Sequence, residues 1–203
     1  MSNPTRHERR RRETADRILA AAAELFGEQG VQATKVVDIC ERADVAQQTF
    51  FNHFPAKQDV VRELTRRGQD FFLAAVEDAR REGRDTGERL ARLFAELHEA
   101  AEDVGPMHQD LVAETIRAAT AETDATRTRE VHRALGRLVR AGRAQGDVSR
   151  LHAVEDQVAL ILGALNQLLF EWANRANFPI AGRAARMVRL LADSLAPSTR
   201  RRS

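Results

Sequence analysis

Apolar residues recur every three to four positions along most of this 203-residue chain, and this spacing constrains the fold more than any other feature. A helix turns once in 3.6 residues, so this spacing places the apolar side chains on one helical face. Ile18, Ala22 and Leu25 show the pattern, and Gly30 follows them as a residue that ends helices. Runs with period two, which indicate strands, are missing, whereas Ala, Leu, Arg and Glu dominate the composition. The sequence therefore predicts an all-α protein.

Glycine, proline and turn-forming residues divide the chain into a series of predicted helices. The predicted helices span residues 14–29, 35–42, 47–54, 57–82, 88–102, 107–120, 122–145, 153–176 and 180–195. Three short helices with a tight turn before the third are the helix-turn-helix pattern, and Pro55 ends the third. We therefore expect a helix-turn-helix domain over residues 14–56 and a helical bundle over residues 57–196.

The segment Thr49–Lys57, TFFNHFPAK, contains three of the chain's nine phenylalanines. On a helix, Phe50 and Phe54 share one face, and we expect them to anchor it inward. Gln48 and Asn52 share the roughly opposite face, where their amides could bond the edges of adenine bases. A polar face turned only to solvent would give the same pattern. The segment by itself is therefore compatible with a helix that contacts DNA bases and with a helix whose polar face meets only solvent.

Residues 17–61 resemble the tetracycline-repressor (TetR) family of transcriptional regulators. The resemblance lies in the Ile-Leu-x-Ala-Ala-x-x-Leu-Phe run, in Asp38-Ile39 and in the segment Thr49–Lys57. It implies a homodimer that places one helix-turn-helix in each of two major grooves of an operator. The resemblance implies that the DNA-binding residues are Thr34, Lys35, Gln47, Gln48, Thr49, Phe51, Asn52, His53 and Lys57.

Five positions depart from the pattern of that family. Asp44 stands where glycine is usual, and it must adopt a left-handed turn conformation at modest cost. Ala46 stands where a serine or threonine usually caps the third helix, which removes a bond of about 1 kcal/mol. Gln48 replaces a common glycine, Val37 a frequent arginine, and Phe51 a usual tyrosine. These departures affect the expected operator sequence more than DNA binding itself.

Arginines concentrate at the two ends of the chain, although the net charge is only +2. We expect residues 1–13 to be a basic disordered arm and residues 197–203 a basic tail. The arginines of the two ends are Arg6, Arg9, Arg10, Arg11, Arg12, Arg200, Arg201 and Arg202. Solvated tails are the simpler interpretation, and an arm that follows DNA phosphates is the alternative.

The last two predicted helices carry broad apolar stripes that could be covered twice, by the bundle and by a second copy of the chain. The resemblance favours dimerisation there over burial within a monomer. The residues expected at the dimer interface are Val158, Ile161, Leu162, Leu165, Leu169, Trp172, Val188 and Leu191.

A pocket for a small-molecule inducer is expected among the middle helices, with an apolar or amphipathic ligand as the default. Asn166 and Gln167 are the strongest candidates because polar side chains in an apolar helix need partners. The full set of ligand-binding candidates is Phe72, Phe94, His98, Met107, Leu111, Thr115, Asn166, Gln167 and Phe170. For any single member of this set, packing in the core is the favoured interpretation.

No cofactor, metal site or enzymatic activity is predicted. His98 and Glu102 share a helical face, but a solvated face explains them better than a metal site. The lone Cys40 fits a reducing cytoplasm, and no signal peptide is evident. The apolar segment 158–170 is too short to span a membrane, so a cytoplasmic protein is expected. The function predicted is a ligand-released repressor; an activator, a dimeric sensor without specific DNA binding and, less favoured, a helical-bundle enzyme are the alternatives.

Overall fold

The computed structural model describes residues 5–104, 125–175 and 178–197. These residues form helices joined by turns and contain no strand, which confirms the all-α prediction. The helices are α1 Arg6–Ala33, α2 Val36–Arg42, α3 Gln47–His53, α4 Lys57–Glu82, α5 Thr86–Val104, α6 Ala125–Gln145, α7 Val154–Asn174 and α8 Ile180–Leu195. The bounds of α4 and α8 are those predicted. The helix predicted over residues 107–120 lies outside the described residues.

The first helix begins earlier than the sequence pattern predicted. The predicted start at Thr14 is wrong, because α1 begins at Arg6 with Thr5 as its N-cap. The Glu8 amide donates to the Thr5 hydroxyl over 3.3 Å, and the Thr5 amide donates to the Glu8 carboxylate over 2.7 Å. This reciprocal capping box satisfies amides that a helix start leaves free. Residues 6–13, predicted as part of a disordered arm, are therefore helical.

Gly30 interrupts the other end of α1. Its φ of 82° lies in the left-handed region, which glycine adopts without the steric cost of a Cβ. The sequence-based expectation that Gly30 ends the regular helix is confirmed, although a short helical segment continues to Ala33. The chain then turns at Thr34 and enters α2.

A small core joins α1, α2, α3 and the start of α4. Its fully buried members include Ile18 and Phe26 of α1, Ile39 of α2 and Phe50 of α3. Burying a side chain of this size stabilises the fold by about 1.5–3 kcal/mol. Ion pairs hold the outside of this core. Arg42 bonds Glu24 and Glu28 of α1 at 3.0 Å.

A larger core joins the second half of α4 to the helices that follow. Leu90, Leu135, Leu138, Ile161 and Leu191 are among its most completely buried side chains. The two cores share α4, since Val60 packs in the first, whereas Ala75, Val76 and Ala79 pack in the second. Because a helix rises 1.5 Å per residue, α4 connects positions about 30 Å apart.

Candidate nucleic-acid interface

Two buried phenylalanines hold α3 against the small core. Phe50 and Phe54 are both buried, with ring centroids 6.1 Å apart, so the predicted inward anchors are confirmed. Phe51 projects from the flank and keeps 45% of its surface exposed, although its ring meets Phe50 edge-on at 5.4 Å. The same short helix therefore carries a buried anchor and an exposed aromatic side chain.

The opposite face of α3 is polar and open. Gln47, Gln48 and Asn52 are exposed, and Thr49 is half-buried. The Gln48 amide nitrogen donates to the Asn52 side-chain oxygen over 3.2 Å, which confirms that the two residues share a face. This hydrogen bond holds two amides side by side where they can offer both donors and acceptors.

The turn between α2 and α3 has the conformation expected from the sequence. Asp44 adopts a φ of 51°, and the Val45 amide donates to the Cys40 carbonyl over 3.0 Å. Ala46 is the N-cap of α3 and supplies no side-chain bond, as its missing hydroxyl predicts. The Cys40 thiol beneath the turn is buried, and burial raises its pKa, so Cys40 packs as a small apolar residue.

Thr34 has a structural role that the resemblance did not indicate. Only 1% of its surface is exposed, and its hydroxyl donates to the Gly30 carbonyl over 2.8 Å. The hydroxyl is enclosed at the end of α1, and the expectation that Thr34 contacts DNA stays a prediction. Neighbouring Lys35 is exposed, and its amide donates to the Asp38 carboxylate over 3.1 Å.

Lys57 also lies in a setting that the sequence did not reveal. Its ammonium donates to the carbonyls of Val31 over 2.6 Å and Thr34 over 2.7 Å. These carbonyls lie at the C-terminal end of α1, where a positive charge satisfies unpaired acceptors and the helix dipole. Lys57 thus fastens the first residue of α4 to the end of α1. Whether it also contacts phosphate stays a prediction.

His53 lies half-buried at the end of α3. Burial, and next the positive charge of Arg11, lower the pKa of its imidazole below the ordinary value. Both effects favour the neutral ring at neutral pH. A neutral imidazole can donate or accept a hydrogen bond but adds no charge to the surface.

The helical start of α1 contributes residues that were not in the predicted DNA-binding set. Arg11 is exposed and close enough for its charge to act on His53. Arg6, Arg9, Arg10 and Arg12 are exposed on the same two turns. The Thr-x-x-Glu capping box at Thr5 and Glu8 is the sequence signal that could have shown this segment to be helical.

The described members of the predicted ligand-binding set do not all come together, although Phe72 packs against the core that holds Phe94. Phe94 is buried in the larger core, and Phe72 and His98 are half-buried. Asn166, Gln167 and Phe170 are exposed on α7, so the strongest pocket candidates are wrong as interior residues. The reason is that α7 turns its polar residues away from its own bundle. The predicted Met107, Leu111 and Thr115 lie outside the described residues.

The residues predicted at the dimer interface face the core of their own chain instead. The buried members of that set are Val158, Ile161, Leu165, Trp172, Val188 and Leu191, whereas Leu162 and Leu169 are half-buried. These buried side chains are therefore wrong as a contact surface. The exposed apolar side chains of the last two helices are Leu160 at 46%, Phe170 at 58% and Leu190 at 62%.

The comparisons with known proteins agree with this geometry. Residues 18–64 match the family model described as bacterial regulatory proteins, tetR family. The chain is 35% identical over 85 residues to the HTH-type transcriptional repressor KstR2 of Mycobacterium tuberculosis, covering 42% of each chain. It is 37% identical over 76 residues to the HTH-type transcriptional regulator TcmR of Streptomyces glaucescens, covering 37% of this chain and 34% of TcmR. The chain thus matches between 34% and 42% of the length of these curated relatives.

Solved structures show a likeness of fold over nearly the whole chain. The transcriptional regulator FadR from Bacillus subtilis in complex with stearoyl-CoA has a TM-score of 0.71 at 18% identity, covering 89% of this chain and 98% of FadR. KstR2 of Mycobacterium tuberculosis has a TM-score of 0.67 at 20% identity, covering 98% of both chains. The N-terminal domain of this chain is therefore similar to the tetR family of bacterial regulatory proteins, whose model matches residues 18–64. None of the described helices combines the length and the apolar character needed to cross a membrane.

Proposed function

We propose that this protein is a transcriptional repressor that binds a palindromic operator as a homodimer and is released by a small molecule. The observation that carries this proposal is α3, a short helix anchored by Phe50 and Phe54 that exposes adjacent amides of Gln48 and Asn52. The match of residues 18–64 to the tetR family model supports a DNA-binding role for that face.

Base reading would rest on the amides of α3. Gln48 and Asn52 can each form a bidentate pair with an adenine edge, which discriminates against a wrong base by about 1–3 kcal/mol. The bond between the two amides fixes their orientation before DNA arrives, so less side-chain entropy is lost on binding. The exposed Lys35 would contact phosphate and contribute affinity without sequence preference.

Dimerisation would use the outer faces of α7 and α8. On α7, the exposed side chains of Leu160 and Phe170 lie on either side of Gly163 in the sequence. A Cβ added at Gly163 would have no neighbouring atom within 4 Å, so this position faces open space. On α8, Leu190 adds a third exposed apolar side chain. Covering this surface with a second copy would remove it from water and fix the distance between the two α3 helices. Half-sites about one turn of DNA apart would then be bound together.

Ligand release would travel along α4, which packs in both cores. A ligand bound in the bundle would shift the distal part of α4, and Lys57 would transmit that shift to the end of α1 through its two carbonyl bonds. A coupling free energy of about 1–3 kcal/mol would weaken operator binding roughly 5- to 150-fold. The structural neighbour FadR holds stearoyl-CoA, which supports an amphipathic ligand of that kind as the first to test.

A mobility-shift experiment with the DNA that flanks the protein's own gene tests the proposal. The wild type should form a specific complex, and Gln48→Ala combined with Asn52→Ala should lower specific affinity by at least about 1 kcal/mol. Non-specific binding should persist in that variant, because phosphate contacts do not depend on the amides. Gln58→Ala, an exposed glutamine on α4, is the matched control.

Absence of specific binding at low salt, with ligand removed, would contradict the repressor function. An unchanged footprint for the double variant would instead show that these amides do not read bases.

A further inference from the structure

The nine residues expected to bind DNA supply little positive charge. Lys57 is bonded to the carbonyls at the end of α1, and His53 is favoured in its neutral form. Among the nine, Lys35 is the exposed lysine. Binding to DNA phosphates depends on cationic side chains, so this surface needs charge from another segment.

The first two turns of α1 hold five arginines in an ordered helix. The capping box of Thr5 and Glu8 fixes the start of the segment. Hydrogen bonds from the backbone and hydroxyl of Thr5, together with the charges of Arg12 and His7, lower the pKa of Glu8, so the capping carboxylate is ionised at neutral pH. Farther along α1, Asp16 pairs with Arg67 of α4 at 2.6 Å. The segment is therefore held at both ends.

The helical period puts Arg11 on the core-facing side of α1, and its charge reaches the end of α3. Arg11 lies two turns before Ile18, so it continues the face of α1 that packs on the small core. The charge of Arg11 acts on the imidazole of His53 at the end of α3. Arg11 therefore lies within electrostatic range of the end of α3.

The guanidinium groups of this segment are available for a partner. Arginines of α4 such as Arg66, Arg67 and Arg80 are paired with carboxylates at 2.5–3.2 Å. By contrast, no salt bridge joins the arginines of residues 6–12 to a carboxylate within the part of the chain that the structure describes. Their side chains are all exposed.

We propose that residues 6–12 form a phosphate-binding segment that extends the DNA interface of α3, with Arg11 at the junction of the two helices. The proposal rests on the proposed DNA-binding function and adds a cationic surface to it. Its ligand is the backbone of duplex DNA, and its contribution is independent of base sequence. Because the segment is already helical, little backbone entropy is lost when it meets the duplex.

The test compares the salt dependence of binding to a 5′-labelled duplex of random sequence, about 30 base pairs long to hold one dimer, by fluorescence anisotropy. Arg9, Arg11 and Arg12 are changed together to glutamine, which preserves helix propensity. The slope of log K against log salt should become shallower by about 0.9 for each phosphate that the variant no longer neutralises. The affinity at about 0.1 M salt should fall roughly tenfold or more.

Arg129, Arg133 and Arg140 of α6, changed together to glutamine, are the matched control. These three arginines are exposed, and replacing them removes the same amount of positive charge. They lie away from α3, because α6 is paired with the distal part of α4 through Arg137 and Glu77. This control should keep the wild-type slope. Circular dichroism should show the same helical content in both variants.

Each outcome decides between the two proposals. If the wild type binds and both variants share its slope, the phosphate-binding segment is wrong and the repressor function stands. If the slope becomes shallower by the same amount in both variants, the effect comes from net charge and again contradicts a local contact. If the wild type binds no duplex at low salt, both proposals fail.

A second measurement checks the placement of Arg11 without DNA. Arg11→Gln should raise the pKa of His53 in an NMR titration, because a positive charge that disfavours protonation has been removed. Arg6→Gln is the control, because Arg6 lies more than one turn before Arg11, at the start of α1. It should change the pKa of His53 less. Equal pKa values in the wild type and Arg11→Gln would overturn the placement of the segment beside α3.

Discussion

The N-terminal domain and the helical bundle relate to known proteins in different ways. Curated relatives match this chain over 76–87 residues, whereas the solved structures match its fold over 88–98% of its length at 17–23% identity. The small domain needs particular residues, because Phe50 must fill its core while neighbouring side chains stay outside. A bundle needs mainly apolar volume at the right period and tolerates many exchanges of similar size. The comparison shows that residue identity matters most where a short helix must fill a core with one face and present exposed side chains on the other.

The largest expected loss of stability comes from placing a charge inside the bundle. Leu165→Arg should destabilise the bundle by more than about 5 kcal/mol, because it removes a buried leucine and leaves an unpaired buried charge. Chemical denaturation followed by circular dichroism measures the loss. Leu160→Arg, on the exposed face of the same helix, should keep the fold and give monomers by light scattering. A folded, monomeric Leu165→Arg protein would instead support the sequence-based prediction of that residue as an interface contact.

The next effect contrasts two adjacent phenylalanines in the small domain. Phe50→Ala should cost about 3–5 kcal/mol because it empties the centre of the core under α3. Phe51→Ala should cost less than about 1 kcal/mol, since that ring is exposed. Phe50→Ala should have the lower melting temperature of the two variants and the weaker DNA complex in a mobility-shift experiment. Equal stability of the two variants would show that the two sides of α3 are not distinct.

A smaller effect separates two lysines that the sequence treats alike. Lys57→Met should lower stability by about 1–3 kcal/mol, since it leaves the carbonyls of Val31 and Thr34 without their donor. Lys35→Met should change stability by less than about 0.5 kcal/mol while weakening DNA binding. Urea denaturation and anisotropy at several salt concentrations measure the two effects. The reverse assignment would make Lys57 the phosphate contact and Lys35 the structural residue.

The smallest effect concerns the ion pairs of α4 and depends on pH. Arg80, and next Arg81, lower the pKa of Glu77 to about 2, against the desolvation that raises it. A carboxylate with a depressed folded-state pKa stabilises the fold above its unfolded pKa and loses that contribution as pH falls toward 2. Because these pairs are partly exposed, the contribution should not exceed about 1 kcal/mol.

Melting temperatures of the wild type and Glu77→Gln test that expectation. The wild type should be the more stable protein at pH 7, and the two curves should converge at about pH 2. Glu99→Gln on the exposed surface of α5 is the matched control. A difference between wild type and Glu77→Gln that stays constant down to pH 2 would show that the pairing with Arg80 does not matter to stability.

Several elements could be predicted from the sequence because local rules determine them. Gly30 and Asp44 lie at turns whose positive φ angles follow from residue type, and Pro55 closes the third helix. The spacing of Phe50 and Phe54 indicates one buried face. The start of α1 was predicted wrongly because a run of arginines is typical of a disordered arm, although Thr5 and Glu8 form a capping pattern.

The candidate site was only partly predictable, because the features that the sequence did not reveal depend on residues distant in the sequence. Lys57 bonds carbonyls that precede it by 23–26 residues, and no local pattern indicates such a contact. Thr34 looks like an exposed helix start in the sequence but lies enclosed under the end of α1. The charge of Arg11 reaches His53 only because the fold brings the start of α1 near the end of α3.

Local sequence patterns are sufficient to predict an all-α protein with a helix-turn-helix and to identify the apolar positions of each helix. Hydrophobic period and turn residues are local properties, so each segment can be interpreted separately. What covers each apolar face depends on how the helices pack in three dimensions. Leu165 faces its own bundle and Leu160 does not, yet both lie in the same apolar run. The difference depends on where α6 and α8 pack against α7, which is a property of the whole chain.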